Sequence, residues 1–568
     1  MISLKEVKKN YEEWIKAPFD LETINSVKSL KKNDLQTFQD SFYKDLSFGT
    51  GGMRGIMGPG PNRVNKFSLG KNTQGISNYI NNHYKNEKKS VVIGYDSRWN
   101  SKSLAESVAN VFSANGIKVY LFSSLRPTPV ISYALIKLKC TCGIVLTASH
   151  NPPEYNGYKV YWDDGGQIVP PIDEILINEI NKVSFSNIKF KKQEHLIELI
   201  DKTIDNSFVL DSVKNGKIGN SNRSKFKIIF TPLHGTSNVI GPRVLIEAGY
   251  SNLLVVNEQS IPDGNFSTVK SPNPEEKDSL KMAHDLAKKN NSDMFIGTDP
   301  DADRLGVGIK MDFKKYYILN GNELMIVLTN YLLSKNKIDN SFFIASTIVS
   351  TPMLKKIAKN FKVGYKESLT GFKWIGKMIK DYPNEKFIGG GEESYGYLVG
   401  DFVRDKDAIT SSLLACELGS ECKERGENVF NYLIDCYIKF GFYKEKLISI
   451  EKKGISGLKE INVIMKKLRK NGVIYLAGDK TKYIYDYKIS TKINLLTSIK
   501  SELTLPKSDV LIFESINGTR VAVRPSGTEP KIKFYFSVNT KLSNKEEFTK
   551  KNKMLENKIN ELTNQFKY

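Results

Sequence analysis

Cysteine is scarce in this chain: 568 residues carry five, at positions 140, 142, 416, 422 and 436. An odd number so thinly spread cannot form the disulfide framework of a small secreted domain, so reduced, mostly buried thiols are expected. Long apolar runs are missing as well. No stretch approaches 18 consecutive apolar residues, and the opening MISLKEVKKNYEEWIK lacks the apolar centre of a signal peptide. Both absences point to the cytoplasm and away from a membrane. No Gly-x4-Gly-Lys-Ser/Thr segment occurs, which argues against a nucleoside triphosphate loop. Zinc-finger spacing, an RNP-type aromatic motif and a compact basic block are absent too, so specific nucleic-acid reading has no support. Negative charge is the minority: 62 Asp and Glu stand against 84 Lys and Arg, for a net +22. The lysines are scattered over helix surfaces among many asparagines, as in LLSKNKIDNS, which reads as a solvated surface of biased composition. Anionic small molecules remain the partner that such a charge favours.

What is present describes an ordinary folded chain: 40% hydrophobic, 26% charged and 11% aromatic residues. At roughly 150 residues per domain the length implies about four domains. Residues 1–45 read as a helical extension with Tyr11, Trp14 and Ile15 as apolar contacts. From there strands and helices alternate. SVVIG at 90–94 is a β-branched run, SKSLAESVANVFSANG places Leu104, Val108, Val111 and Phe112 on one helical face, and IKVYLF and CGIVLTASHN follow as further strands. The cycle restarts at KFKIIFTPLHGTS and closes on DMFIGTDPDADR, then runs a third time from ELMIVLTNYLLS to FIGGGEESYG. Each cycle ends on a strand that enters a polar loop, and such alternation implies largely parallel, helix-covered sheets. The stretch from 441 reads as a smaller α+β domain. The expected division is 1–45, 46–205, 206–318, 319–440 and 441–568.

Open α/β sheets bind ligands beyond the carboxyl ends of their strands, and the chemically suggestive residues fall in those loops. In TASHNPPEYNGYKVY, Ser149 follows a buried-looking strand and precedes His150 and a Pro-Pro pair, so its hydroxyl sits on a stiff turn. His150 and Lys159 could favour a dianionic phosphoryl group on it. An ordinary turn cap is the plain alternative, and without a Gly-x-Ser-x-Gly elbow a hydrolase triad is not indicated. In GTDPDADRLGVG, Asp299, Asp301 and Asp303 alternate, and carboxylates that close repel one another unless a hard cation neutralises them. The EF-hand spacing fails, since positions 6 and 12 would be Arg304 and Lys310. A solvated acidic turn is the alternative. GGGEESYG offers Glu392 and Ser394 as partners for sugar hydroxyls, and RPSGTEPK combines Arg524, Ser526, Gly527 and Thr528 into the equipment of a phosphate cradle, with a purely structural glycine turn as the plain alternative. FGTGGMRG places Arg54 in a glycine loop, and VRDKDA places Lys406 between two aspartates, where a surface ion-pair cluster is the plain reading.

The order and spacing of these segments resemble the α-D-phosphohexomutase superfamily, of the phosphoglucomutase/phosphomannomutase type, over nearly the whole chain from about residue 45. TASHNPPEYNGYK and DPDADR carry the resemblance most specifically, with GEESYG and RPSGTEPK beside them. It implies an α/β four-domain architecture, three similar mixed α/β sandwich domains plus a C-terminal α+β domain around a central cleft. By resemblance, Ser149 is the residue carried as phosphoserine, and Asp299, Asp301 and Asp303 hold Mg2+ together with an oxygen at Ser149. Glu392 and Ser394 read sugar hydroxyls, and Arg524, Ser526, Gly527 and Thr528 grip the substrate phosphate. Arg54, His150, Lys159 and Arg304 line the reaction centre. Thr370 and Gly371, within SLTGFKWIG, match the loop that faces the sugar, and Lys406 matches a lysine assigned there as a general acid/base.

The activity implied is that of a cytoplasmic isomerase of carbohydrate metabolism. Glucose 1-phosphate and glucose 6-phosphate interconvert through a phosphoserine enzyme and glucose 1,6-bisphosphate, in a monomer or small homo-oligomer with no nucleic acid or membrane partner. Alternatives stay open. FGTGGMRG also resembles the branch containing pentose-phosphate mutases, so a phosphopentomutase or a phosphomannomutase of the same mechanism is the first. A catalytically silent, basic binding paralogue is the second, and the intact set of Ser149, three aspartates and Arg524 distinguishes it from an enzyme.

Overall fold

The computed structural model describes residues 4–49, 51–85, 88–452, 454–526 and 531–567. These residues form two compact units, one of residues 1–321 with 372–428, the other of 322–371 with 429–568.

The first unit begins with helices Leu4–Trp14, Leu21–Asn33 and Leu35–Phe42. They are fastened by an aromatic cluster in which Trp14 stacks on Phe19 and meets Phe42, Phe67 and Phe185 edge-on. Burying such rings is worth about 1.5–3 kcal/mol each, so the extension is part of the core. A six-stranded sheet follows. Strands Cys142–Leu146, Ser90–Tyr95, Lys118–Phe122 and Ile197–Ile200 run parallel in that order, and Tyr155–Trp162 and then Gly52–Ile56 add antiparallel at the Cys142 side. The helix Ser101–Ala114 covers it with Leu104, Val108, Val111 and Phe112 buried, and the chain leaves it at Gly116, whose φ of +75° favours glycine. The expected parallel sheet is therefore mixed: alternation along Tyr155–Trp162 is masked because every residue after Tyr155 is buried.

A five-stranded sheet repeats the plan. Met294–Thr298, Ile228–Thr231 and Leu253–Val255 are parallel, while Leu305–Asp312 and Lys315–Leu319 add antiparallel beside Met294–Thr298. The antiparallel pair Lys386–Glu392 and Gly396–Val399 gives a third version of the same corner. In all three, a strand ends in a turn holding a non-glycine residue at positive φ, Ser149 at +53°, Ala302 at +56° and Tyr395 at +66°, and then returns antiparallel. The helix Ala408–Glu424, started by the Asp407 side chain at the amides of Ile409 and Thr410, is buried over its first fifteen residues. Its Glu417 accepts from Arg223, Tyr250 and the amide of Gly219, which satisfies a carboxylate with no exposed surface.

The second unit holds the parallel pair Phe342–Thr347 and Gly364–Ser368 with the helices Gly321–Lys335, Met353–Phe361 and Val429–Phe440. It also holds an antiparallel sheet in the order Phe442–Glu451, Lys531–Thr540, Arg520–Pro525, Leu511–Ser515, Asp479–Asp486, Thr491–Asn494 and Lys500–Glu502. Helices Gly454–Asn471 and Phe548–Gln565 pack on it. Within VIYLAG only Tyr475–Leu476 forms a strand, paired with Asp479–Asp486. Among the described residues no helix is long and apolar enough to cross a membrane, and the five cysteines are buried and unbridged.

Candidate active site

The two most specific motifs meet in the first unit. Strand Cys142–Leu146 delivers Ser149 to its carboxyl end, where the Thr147 hydroxyl accepts from the Ser149 amide at 2.8 Å. Ser149 is buried, and its Oγ donates to Asp299 Oδ2 at 2.6 Å while lying 3.1 Å from His150 Nδ1. The imidazole is held neutral at pH 7, because burial and then Arg304 and Arg54 push its pKa well below the ordinary value. Arg54, on strand Gly52–Ile56, donates to the Asn151 side chain at 2.8 Å.

Strand Met294–Thr298 delivers the aspartates. Asp299 Oδ1 accepts from the amides of Asp303 and Arg304, at 3.0 and 2.9 Å. Asp301 Oδ2 accepts from Lys159 Nζ at 2.6 Å and from the Thr128 hydroxyl at 2.9 Å. Asp303 Oδ2 accepts from Lys159 at 2.9 Å and lies 3.4 Å from Lys406 Nζ. Burial works to raise all three carboxyls. Repulsion from Asp301 and Asp303 adds to it at Asp299, which ends well above the usual range, whereas Lys159 outweighs it at Asp301, and Lys159, Lys406 and Arg304 outweigh it at Asp303, so those two end below it.

The donor set fits a hard divalent cation. One oxygen from each aspartate lies within 4.8 Å of the others, and Asp301 Oδ1 and Asp303 Oδ1 are buried without accepting any hydrogen bond. Oxygen-only ligands of this kind suit Mg2+ or Ca2+ rather than zinc. The sequence placed these residues at a strand end, and the structure converges them with Ser149.

Lys406 reaches the same point. Its Nζ is 3.4 Å from Asp303, 3.2 Å from Asp405 and 3.9 Å from Glu392, and these carboxylates outweigh burial to keep the ammonium charged. Gly396 makes room for it, since a Cβ there would sit 2.0 Å from the lysine Cδ. Asp405 in turn accepts from Tyr161 at 2.6 Å and Gln167 at 2.9 Å. Arg304 pairs with Glu275 and lies 4.0 Å from Asp303. Ser394 sits in the turn after Glu392, which the Tyr395 carbonyl ties to the Leu305 amide at 2.9 Å.

Six candidate residues belong to the second unit, four of them among the described residues. Thr370 carries a buried Oγ1 without a hydrogen-bond partner, and Gly371 has φ +113°. Arg524 lies on strand Arg520–Pro525 opposite Lys533, and the Ser526 amide donates to the Lys531 carbonyl at 2.7 Å. Gly527 and Thr528 lie outside the described residues.

The sequence reading missed several groups that the site uses. Thr128, at the start of helix Thr128–Lys137, donates its hydroxyl to the Asp301 carboxylate and its amide to the Asp301 backbone carbonyl, which fixes that residue at two points. Asp405, Tyr161 and Gln167 fix Lys406, and Glu275 fixes Arg304. The Thr-Pro pair opening a helix was the one available signal for Thr128. Asp405 was legible only as one of the two aspartates flanking Lys406, and its burial against Tyr161 and Gln167 was not.

The alpha/beta/alpha domain I model of the phosphoglucomutase/phosphomannomutase family matches residues 45–187, domain II 207–311, domain III 320–437, and the C-terminal domain 453–548. A curated phosphoglucomutase of Staphylococcus aureus strain USA300 is 37% identical over 505 residues, 88% of this chain and 91% of that protein. One of Staphylococcus haemolyticus is 36% identical over 538 residues, 93% of this chain and 96% of that protein. Among solved structures, the open form of the Paramecium phosphoprotein pp63/parafusin superposes with a TM-score of 0.65 at 19% identity, covering 89% of this chain and 92% of that one. A Burkholderia thailandensis protein described as of the phosphoglucomutase/phosphomannomutase family gives 0.64 at 18%, covering 87% and 93%. These last two likenesses concern the fold. With all four domain models matched in chain order and relatives this similar over most of its length, the chain belongs to the phosphoglucomutase/phosphomannomutase family.

Proposed function

We propose that this protein is an isomerase that interconverts glucose 1-phosphate and glucose 6-phosphate, through a phosphoryl group carried on Ser149 and a glucose 1,6-bisphosphate intermediate. One observation carries the reading: a buried serine hydroxyl lies 2.6 Å from one of three clustered aspartates, and the other two are paired with Lys159 and Lys406. The curated relatives named phosphoglucomutase support glucose as the sugar.

Forward transfer breaks the bond between phosphorus and Ser149 Oγ and forms one to the free hydroxyl oxygen of the sugar monophosphate, while that hydroxyl gives up its proton and the freed seryl oxygen takes one up. The intermediate then turns, its other phosphate returns to Ser149, and the second monophosphate leaves. A divalent cation, Mg2+ in this proposal, would be held by Asp299, Asp301 and Asp303 and would neutralise negative charge on the transferring group. The rest falls to the chain's own side chains. Lys159 and Arg304 add fixed positive charge where the phosphoryl oxygens would gather. The seryl proton has two acceptors within reach, Asp299 Oδ2 and neutral His150 Nδ1. Lys406, kept charged by three carboxylates, is suited to donate a proton to a leaving oxygen. Glu392 and Ser394, with Thr370 and Gly371, would read sugar hydroxyls. Arg524, Ser526, Gly527 and Thr528 would hold the non-reacting phosphate, whose remote binding energy aligns the other end. The five-segment division at 46, 206, 319 and 441 and a cytoplasmic location belong to the same proposal.

The test is 31P NMR of the protein with Mg2+, a trace of glucose 1,6-bisphosphate, and equal amounts of glucose, mannose and ribose 1-phosphates. Preferential conversion of the glucose ester is expected. Preference for mannose or ribose keeps the mechanism and changes the substrate; no conversion of any supports a silent binding paralogue.

A further inference from the structure

Behind the Ser149 turn lies a residue that none of the motifs includes. Arg98 follows strand Ser90–Tyr95 and is 3% exposed. Its guanidinium is directed at the backbone of the turn. Nη1 donates to the carbonyls of Pro152 at 2.7 Å and Tyr155 at 3.0 Å, and Nη2 to those of Ser149 at 2.6 Å and Asn151. Nε lies 3.3 Å from Asp96 Oδ2, with both side chains fully buried. Asp96 is itself held, accepting from the Ser101 hydroxyl at 2.8 Å and the Arg98 amide at 3.0 Å. One face of the guanidinium rests 4.9 Å from the ring centroid of Phe266, a buried residue beyond the Leu253–Val255 strand.

This arrangement addresses a specific cost. Ser149 stands in the left-handed region at φ +53°, which disfavours a side-chain-bearing residue by about 1 kcal/mol or more. The turn also aims four carbonyl dipoles at one point, and they repel one another unless a cation sits there. A planar guanidinium matches several acceptors at once while stacking on a ring, which a lysine ammonium cannot do. In-line phosphoryl transfer is sensitive to placement: a misplacement of about 1 Å can lower a rate about a hundredfold.

We propose that Arg98 is a positioning residue for the reaction, its guanidinium gathering the carbonyls of residues 149, 151, 152 and 155 and so setting where Ser149 Oγ stands against Asp299. The inference rests on the function proposed above and adds a residue to it. Removing Arg98 leaves Asp96 as an unpaired buried charge, so the first variant keeps the charge.

The experiment compares wild type, Arg98→Lys, Arg98→Ala and Ser149→Ala as full-length proteins. In Arg98→Lys, kcat per folded molecule falls by about a hundredfold while KM for glucose 1-phosphate barely moves. An open surface pocket of about 600 Å³ has Arg98 in its lining, beside Ser97, Trp99 and Gly264. Added guanidinium ion therefore restores part of kcat in Arg98→Ala and none in Ser149→Ala. Independently of turnover, hydrogen exchange quickens across 147–157 in both Arg98 variants and stays unchanged at strand Lys118–Phe122. Full kcat in Arg98→Lys, a changed KM at constant kcat, absence of guanidinium rescue, or failure of both variants to fold would each overturn the assignment. A wild-type protein without turnover, but with the exchange response intact, would instead overturn the function and leave the support of the turn by Arg98 standing.

Discussion

The Ser149 turn and the aspartate turn are built on one plan and finished with opposite charge. Each follows a buried parallel strand, Cys142–Leu146 or Met294–Thr298, each holds one non-glycine residue in the left-handed region, and each returns as an antiparallel strand. In the first, a buried arginine collects backbone oxygens and the reacting group is a neutral hydroxyl. In the second, backbone amides and two lysines answer a cluster of carboxylates. Lys159, which neutralises the aspartates, is supplied by the strand returning from the serine turn. Neither turn is electrostatically complete without the other. The shared topology supplies two strand ends, and the side chains of the loops decide which becomes a group carrier and which a cation site.

Removing the reacting atom from the first turn breaks the comparison most severely. Ser149→Ala is expected to lower steady-state turnover to less than about a hundredth of wild type, with the fold retained by circular dichroism; greater residual activity would remove Ser149 from its role. Stripping the second turn comes next. Excess EDTA should halt turnover and added Mg2+ restore it, whereas undiminished activity in the chelator would mean that the lysines alone suffice to neutralise the aspartates. Arg524 lies in neither turn, so it sharpens the contrast: Arg524→Ala should raise KM for glucose 1-phosphate about tenfold, the worth of one charge-assisted contact, with kcat little changed. A collapse of kcat instead would make it part of the reaction centre.

The smallest effect is on stability and lies in the second unit. Burial, reinforced by the Glu323 carboxylate and only partly offset by the Thr351 and Ser537 hydroxyls, raises the Glu445 carboxyl from 4.5 to about 7. A folded-state pKa above the unfolded one gives stability that is present below about 4.5 and lost as pH rises through about 7. Glu445→Gln should therefore gain in melting temperature over wild type as pH climbs through that window, with the gap level above it. A gap that does not change with pH would assign the effect to packing alone.

Legibility in the sequence followed the range of the cause. The helix Ser101–Ala114 was read from its periodic face because Leu104, Val108, Val111 and Phe112 are all buried there. Strands Tyr155–Trp162 and Leu305–Asp312 were not, because their residues are buried on both faces or lie next to motifs that drew the reading elsewhere. Ser149 and the aspartates announced themselves by local chemistry. Arg98, Thr128 and Asp405 did not, since the acceptors of the Arg98 side chain lie more than fifty positions away, and Thr128 meets Asp301 across 173. For residues 1–45 only the contacts Tyr11, Trp14 and Ile15 were legible, and the cluster with Phe67 and Phe185 was not.

What the chain determined by itself was the inventory: three strand-to-loop cycles, a nucleophile-bearing turn, an alternating run of carboxylates, and the family to which that order belongs. Those features depend on propensity, periodicity and spacing, all set within a few residues. Only the tertiary structure decided that Ser149 Oγ faces Asp299, that Lys159 lies between Asp301 and Asp303, and that Arg98 underlies the serine turn. Burial in a low-dielectric interior obliges charges to find partners, and which partner each one finds is set by the packing of sheets far apart in sequence.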